Sequence, residues 1–144
     1  MTTANIYLTF DGNCEQAFNF YKSVLHGEFQ SLMRFSEMPP QEGMPPLPKE
    51  EQNKIMHISL PLSGQSVLMG SDTAGPWASG YKAGNNFSVS LSTDSKEEAD
   101  RLMAGLSEGG RIEMPMDDTF WGSYFGMCVD QFGINWMISF DTTP

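Results

Sequence analysis

Few side chains in this sequence combine reactive chemistry with a regular spacing. His57 is the strongest candidate among them. It lies in a segment where it alternates with Met56 and Ile58. A period of two is typical of a β-strand, so His57 points away from the apolar face. An imidazole there could act as a general base or bind an anionic group, and the alternative is a half-buried histidine held by a neighbouring hydroxyl. His57 is therefore the candidate catalytic residue, whereas His26 is predicted to interact with the C-terminal end of a helix.

Hydroxyl side chains recur on the same face of the predicted strands. Polar and apolar residues alternate in Asn5–Phe10 and in Asn86–Ser92. The polar set offers hydrogen-bond donors and acceptors and consists of Tyr7, Thr9, His57, Ser59, Ser88 and Ser90. The apolar set is predicted to lie beneath helices and consists of Ile6, Leu8, Phe10, Phe87, Val89 and Leu91. The polar row lines a binding groove or faces water on an open sheet, and its recurrence in both halves of the chain favours the groove.

Two amphipathic helices must position these strands. The first follows Asn13, a predicted N-cap, and ends near Gly27, which is predicted to adopt the left-handed conformation. The second follows Asp94, with Glu97 three residues later in the capping-box position, and ends at Gly109. Each helix carries an apolar stripe at helical spacing, so each is predicted to cover one face of a sheet.

The strand–helix pattern occurs twice, which defines the domain organisation. Asn5–Phe10 matches Asn86–Leu91, and the two helices match in the same order. The sequence therefore predicts one α+β domain over residues 1–144, built from tandem βαβββ half-modules at about 4–71 and 85–141 with a linker at about 72–84. The first half also carries a proline-rich insert, residues 37–54, that cannot form regular structure and has no counterpart in the second half.

Three segments carry a resemblance to a known family. They are Tyr7–Phe18 (YLTFDGNCEQAF), Asp118–Gly122 (DTFWG) and Asp130–Ile138 (DQFGINWMI). They resemble PhnB-like proteins of the vicinal oxygen chelate superfamily, which includes glyoxalase I, bleomycin-resistance proteins and extradiol dioxygenases. The resemblance implies that the tandem modules form one curved mixed sheet with a central cleft, and that the chain forms a homodimer. Such proteins are often labelled demethylubiquinone methyltransferases, but no glycine-rich turn follows a strand here as a nucleotide-type cofactor would need.

The same resemblance bears on metal binding. Metal-using members of the superfamily hold a divalent ion through His, Glu or Gln on four strands. The matching positions fall near Ile6, Leu68–Gly70, Phe87–Ser88 and Met137, and none of them offers such a ligand. No metal site and no cofactor are therefore predicted, and a divalent metal at another site is the lesser alternative.

Aromatic residues cluster near the second motif. Phe120, Trp121, Tyr124 and Phe125 lie within six residues, and Trp77 and Tyr81 fall in the predicted linker. Most of them are expected in the core or at a subunit interface. Trp121 and Tyr124 are predicted to add aromatic walls to the cleft, which suits a flat or partly apolar small molecule.

The charge and the residue composition of the chain limit the classes of partner that it can bind. The chain has 18 acidic and 8 basic residues, giving a net charge of −10, so a nucleic-acid partner is excluded because it needs clustered Lys and Arg. No apolar run reaches the roughly 20 residues of a membrane span, and the first ten residues do not resemble a signal peptide. With only two cysteines, the chain is predicted to be cytoplasmic.

Three functions remain open. The first is binding of a small, partly apolar molecule in the sheet cleft without a metal. The second is a lyase, isomerase or dioxygenase-like enzyme that uses His57 or an atypical metal site. The third is a protein-interaction module in which the insert at residues 37–54 docks a partner.

Overall fold

The computed structural model describes residues 2–40, 42–43 and 45–142, except the side chain of Trp77. Two positions of the insert, Gln41 and Met44, lie outside the described residues. The chain divides into two compact units, Met1–Lys82 and Ala83–Pro144. None of the helices in the described ranges is long and apolar enough to span a membrane.

The first unit contains a four-stranded mixed sheet. Its strands are β1 (Ile6–Phe10), β2 (Ser31–Arg34), β3 (Ile55–Pro61) and β4 (Val67–Asp72). Its helices are α1 (Cys14–Leu25) and the short α2 (Lys49–Gln52), and single 3₁₀ turns cover Phe35–Glu37 and Gly75–Trp77. The strand order is β1-β4-β3-β2, with β1 parallel to β4 and the other pairs antiparallel.

The second unit repeats this plan. It contains β5 (Val89–Ser92), α3 (Lys96–Ser107), β6 (Arg111–Asp118), β7 (Ser123–Val129) and β8 (Asn135–Asp141). The strand order β5-β8-β7-β6 matches that of the first unit, again with one parallel pair. The predicted α+β fold of tandem βαβββ modules is therefore confirmed.

The core of each unit lies between its long helix and one face of its sheet. α1 packs on β3 and β4, and its Phe18 ring meets the rings of Phe10 and Tyr21 edge to face. α3 packs on β6, β7 and β8 through an apolar stripe, which consists of Ala99, Leu102, Met103 and Leu106. These stripes are the ones that the helical periodicity predicts.

Several local predictions are wrong. The left-handed residue after α1 is His26, with φ 56°, not Gly27. Gly27 instead lies close to Leu60, since a Cβ on Gly27 would lie 2.8 Å from Leu60 Cδ1. Ser95, not Asp94, caps α3 by accepting a hydrogen bond from the Glu98 backbone N–H at 3.1 Å.

Phe87 and the insert also differ from the predictions. Phe87 lies before β5 and is 55% exposed, so it does not pack beneath a helix. The insert does contain regular structure, namely α2 and the end of a 3₁₀ turn. The first residues of the predicted linker belong to the first unit, since Asp72 and Thr73 are buried and the Thr73 N–H donates to the Phe10 carbonyl at 2.7 Å.

Candidate functional site

The distal face of the first sheet, which is the face turned away from α1, carries the predicted polar side chains of this unit. These side chains are Tyr7, Thr9, His57 and Ser59. The Tyr7 and His57 rings lie 6.0 Å apart between centroids, inclined by 31°. Ser59 is buried, and its hydroxyl shares a hydrogen bond of 3.0 Å with the Ser31 hydroxyl. The sheet therefore brings His57 and its predicted polar neighbours onto one surface.

A cleft of about 380 Å³ lies where β1 and β4 end and β3 begins. It is lined by Thr9, Phe35, Met38, Met56, Ser71, Asp72 and Thr73. Thr9 and Ser71 face each other in the β1–β4 register, so both hydroxyls lie on one side of the cleft. Phe35 and Met38 come from the start of the β2–β3 connection. This combination of thioethers, one aromatic ring and hydroxyls is typical of a site for a small, partly apolar molecule.

The insert contributes Met38 to the lining of this cleft and is held at both ends by Arg34. The Arg34 backbone N–H donates to Glu37 Oε1 at 3.2 Å, and its guanidinium donates to the Asn53 carbonyl at 2.9 Å. The same guanidinium forms two hydrogen bonds with the Glu15 carboxylate on α1, at 3.0 and 2.8 Å. These hydrogen bonds, together with charge attraction, lower the pKa of Glu15. Arg34 therefore fixes the insert to the first helix.

A buried carboxylate, Asp72, joins three elements beside the cleft. Asp72 Oδ1 accepts hydrogen bonds from the backbone N–H groups of Gly12 and Cys14, both at 2.9 Å. Asp72 Oδ2 accepts one from the Ile55 N–H, also at 2.9 Å. The carboxylate therefore caps α1, whose N-cap residue Asn13 makes no side-chain cap. Sequence reasoning missed Asp72 because the cap comes from a residue 58 positions away.

The distal face of the second sheet, turned away from α3, is rich in methionine. Ser90 of β5 pairs with Met137 of β8, Met137 pairs with Met127 of β7, and Met127 pairs with Met114 of β6. These residues form a row across the sheet. Ser88 precedes β5, so the register of the strands does not assign it to this face. The sequence does not predict the methionine row, because each methionine lies on a different strand and the row exists only once the strands pair.

The two predicted aromatic site residues lie on opposite faces of the second sheet. Trp121 contacts Phe125. Phe125 lies two residues before Met127 on β7, so both side chains point to the distal face. Tyr124 points to α3, where its hydroxyl donates to Asp100 Oδ1 at 2.7 Å and Lys96 Nζ lies 4.9 Å from its ring centre. This hydrogen bond raises the pKa of Tyr124 to about 12. Tyr124, which is predicted to be an aromatic wall of the cleft, therefore contacts α3 in the structure.

The superfamily's metal site does not fit the residues at its expected positions. Within Leu68–Gly70, the residue on the distal face is Met69, which pairs with Tyr7 and Ser59, and its thioether is not a ligand of the His, Glu or Gln type. Within the described ranges, no group of three or more His, Cys, Asp or Glu side chains is placed to hold a metal ion. We therefore assign no chemical step to a bound metal.

Two units of βαβββ topology with this strand order define a protein of the glyoxalase/bleomycin-resistance fold. A solved structure of a glyoxylase/bleomycin resistance protein/dioxygenase domain from Frankia sp. EAN1pec shares this fold, with a TM-score of 0.66 at 12% identity over 98% of each chain. The family model described as 3-demethylubiquinone-9 3-methyltransferase matches residues 2–139. The chain belongs to this family, which is the PhnB-like family that the motifs predict.

Two relatives share more of the sequence. Protein YjdN of Escherichia coli K12 is 33% identical over 138 residues, which cover 92% of this chain and 91% of YjdN. The crystal structure of protein PA1353 from Pseudomonas aeruginosa has a TM-score of 0.83 and 38% identity over 98% of both chains.

The helix that follows β1 does not provide a phosphate site of the kind found in nucleotide-binding folds. Such a site uses free backbone N–H groups at a helix N-terminus. Here the N–H groups of Gly12 and Cys14 already donate to Asp72. A phosphate-bearing cofactor at this position would have to displace a buried carboxylate.

Proposed function

We propose that this chain binds a small, partly apolar molecule in the first-unit cleft, without a metal ion. The observation that carries this proposal is the cleft of about 380 Å³ between the Thr9 and Ser71 hydroxyls and the Met38 and Met56 side chains. A volume of this size is typical of small-molecule sites. Methionine walls adapt to the shape of a ligand, and hydroxyls fix its orientation.

The charges in the cleft favour a neutral ligand. Among the described residues that line the cleft, Asp72 is the one acidic side chain, and its oxygens already accept three backbone hydrogen bonds. An anion would be repelled by that carboxylate, and a cation would compete with the N–H groups for it. Alcohols and carbonyl compounds with an apolar body therefore match the Thr9 and Ser71 hydroxyls best.

A methyl-NMR titration tests the proposal. Protein labelled at its methionine methyls is titrated with benzyl alcohol and cyclohexanol. We expect saturable shifts of the Met38 and Met56 methyls, while the buried Met103 of the second unit stays unchanged.

The double variant Thr9→Val, Ser71→Ala removes the hydroxyls with little change of volume, and binding should weaken about tenfold. Unsaturable shifts, or equal affinity in this variant, would contradict the proposal. Elemental analysis of protein purified without added metal tests the metal-free part, which a stoichiometric bound ion would refute.

A second candidate function is an enzyme in which His57 acts as the base. It is favoured by the position of His57 on the same sheet face as Tyr7 and Thr9, although His57 is not among the described residues that line the cleft. His57→Ala distinguishes the two functions. Binding with unchanged affinity and no effect on any turnover supports a binding protein, whereas loss of turnover with retained binding supports the enzyme.

A homodimer and a cytoplasmic location complete the proposal. The exposed apolar side chains Phe87 and Ile112 support self-association. Cys14 and Cys128, both buried and free, are consistent with a reducing compartment. Sedimentation velocity tests the dimer, and a single monomeric species at all concentrations would refute it. Docking of a protein on the insert is not favoured, because Arg34 and Glu51 already hold the insert against the first unit.

A further inference from the structure

Three aromatic rings form a corner in the second unit, well apart in sequence from the first-unit cleft. The Phe120 and Trp121 rings meet edge to face, with centroids 5.0 Å apart and planes inclined by 89°. The Trp121 and Phe125 rings are 5.9 Å apart and inclined by 66°. Because these ring pairs meet edge to face and do not stack in parallel, part of the π surface of the rings remains available to a ligand. They surround part of a cavity of about 430 Å³ that is also lined by Met114, Asp117 and Asp118.

Asp117 supplies a negative charge to this corner. It lies opposite Phe125 in the β6–β7 register, so its side chain shares the face of that ring. The next residue, Asp118, lies opposite Tyr124 in the register, and its carboxylate already forms an ion pair with Lys96 at 3.2 Å. Asp117 Oδ1 accepts the Asp118 N–H at 2.8 Å. Across the described ranges, no Lys or Arg side chain forms an ion pair with Asp117, so its charge is available to a ligand.

The rings themselves are unusually open. Phe120 is 97% exposed and Trp121 is 55% exposed. Aromatic surface left in water loses the free energy of burial, and such exposed groups commonly mark a binding surface. A neutral apolar ligand would cover the rings but desolvate Asp117 without a partner, and an anion would be repelled by it. A cation with apolar substituents satisfies both the π faces and the carboxylate.

We propose that the corner formed by Phe120, Trp121, Phe125 and Asp117 binds a small organic cation, an amine or a quaternary ammonium group. The cation lies against the Trp121 ring, and Asp117 provides the counter-charge. The net charge of −10 raises the local concentration of cations near the surface. This site goes beyond the proposed function, because it uses no residue of the first-unit cleft.

Choline and its neutral isostere 3,3-dimethylbutan-1-ol test the inference, since they share shape and differ in charge. Binding is followed by the indole N–H signal of Trp121 in NMR spectra, assigned with Trp121→Phe. We expect choline to bind in the millimolar range and the neutral alcohol about tenfold more weakly. Equal affinity for the two compounds, or no saturable shift with choline, would overturn the proposal.

Two carboxylates provide a matched pair of variants. Asp117→Asn should weaken choline binding about fivefold, whereas Asp94→Asn, with the same change of charge at an exposed residue outside the cavity lining, should leave it within about twofold. Trp121→Leu keeps an apolar side chain but removes the largest π face, and it should weaken binding about tenfold or more. Equal effects of the two Asp variants would show a general charge effect and overturn the site.

A second copy of the chain is the competing occupant of the corner. If Phe120 and Trp121 form a subunit contact, Phe120→Ala should abolish self-association in sedimentation experiments, and choline should not bind the associated form. That result would overturn the proposal. Choline binding that persists at concentrations where the chain is associated supports it.

Discussion

Replacing Asp72 by Asn should destabilise the first unit by about 3 kcal/mol, because the carboxylate accepts three backbone N–H groups that an amide cannot all satisfy. In the Asp72→Asn variant, the amide oxygen can still accept from Gly12 and Cys14, although without the negative charge. The amide NH₂ group then faces the Ile55 N–H, so two donors meet and the Ile55 N–H is left without an acceptor. Loss of charge from two hydrogen bonds costs about 1 kcal/mol each, and a buried unsatisfied donor costs about 1–3 kcal/mol. Relief of the buried charge offsets part of this sum.

Urea denaturation followed by circular dichroism measures the change, and hydrogen exchange locates it. In Asp72→Asn, the Ile55 amide should lose protection more than the amides of Gly12 and Cys14, because it alone loses its acceptor. Asp11→Asn is the matched control. Asp11 is exposed and accepts a single hydrogen bond, from the Thr73 hydroxyl at 3.1 Å, so this change should cost less than about 1 kcal/mol. Equal stability of the two variants would refute the assignment of Asp72 as the residue that joins β4, α1 and β3.

Three further predictions concern titration and reactivity. The phenol of Tyr124 should titrate at a pKa of about 12 in NMR spectra of labelled tyrosine, and Asp100→Asn should lower that pKa because the hydrogen bond to a carboxylate is lost; an unchanged pKa would contradict this cause. The pKa of Glu15 is lower in the folded chain, so its stabilising contribution is present above the unfolded pKa and is lost as the pH falls through the folded value. The stability difference between wild type and Glu15→Gln should therefore shrink on acidification, and a difference that is independent of pH would refute the role of the Arg34 pair. Burial raises the pKa of Cys128 to about 11, so its thiol should not react with a disulfide reagent at neutral pH unless urea is added, and rapid reaction of the native protein would contradict its burial.

The strand and helix pattern could be predicted from the sequence because it depends on local periodicity. The stripes of α1 and α3 and the alternation in β1 each place side chains within a few residues of one another. Both turn glycines, Gly64 and Gly133, have the positive φ that a tight turn requires, with values of 71° and 87°. Such features depend on neighbouring residues alone, so a single sequence contains the information.

The sites depend on contacts between distant residues, and prediction fails there. Asp72 caps a helix from the end of another strand. The Arg34 guanidinium donates to Glu15 and to the Asn53 carbonyl, which lie 19 positions before and 19 positions after it in the chain. The contact of Tyr124 with α3 is another such case, because its hydroxyl donates to Asp100, 24 positions earlier in the chain.

The two proposed sites occupy equivalent places in the repeat, and this equivalence explains how one fold carries two surfaces. In the first unit, the connection between β2 and β3 supplies Phe35 and Met38 to the cleft. In the second unit, the corresponding connection between β6 and β7 supplies Phe120 and Trp121 to the aromatic corner. The strand orders show that these connections are counterparts, since β2 and β6 are edge strands at the same position of each sheet.

An edge-strand connection can change in length and chemistry without disturbing the core, because the helix packs on the opposite face of the sheet. In the first unit, this connection is a proline-rich insert that lies beside thioether and hydroxyl side chains. In the second unit, it is a short turn with exposed aromatic rings, which follows the acidic end of β6. Replacement of the first-unit insert by a copy of the second-unit connection would test the argument. A chain that carries residues 119–122 in place of the insert should keep both folded units and lose the first-unit cleft, while choline binding at the unchanged corner persists. Loss of choline binding in that chain would show that the two sites are not independent.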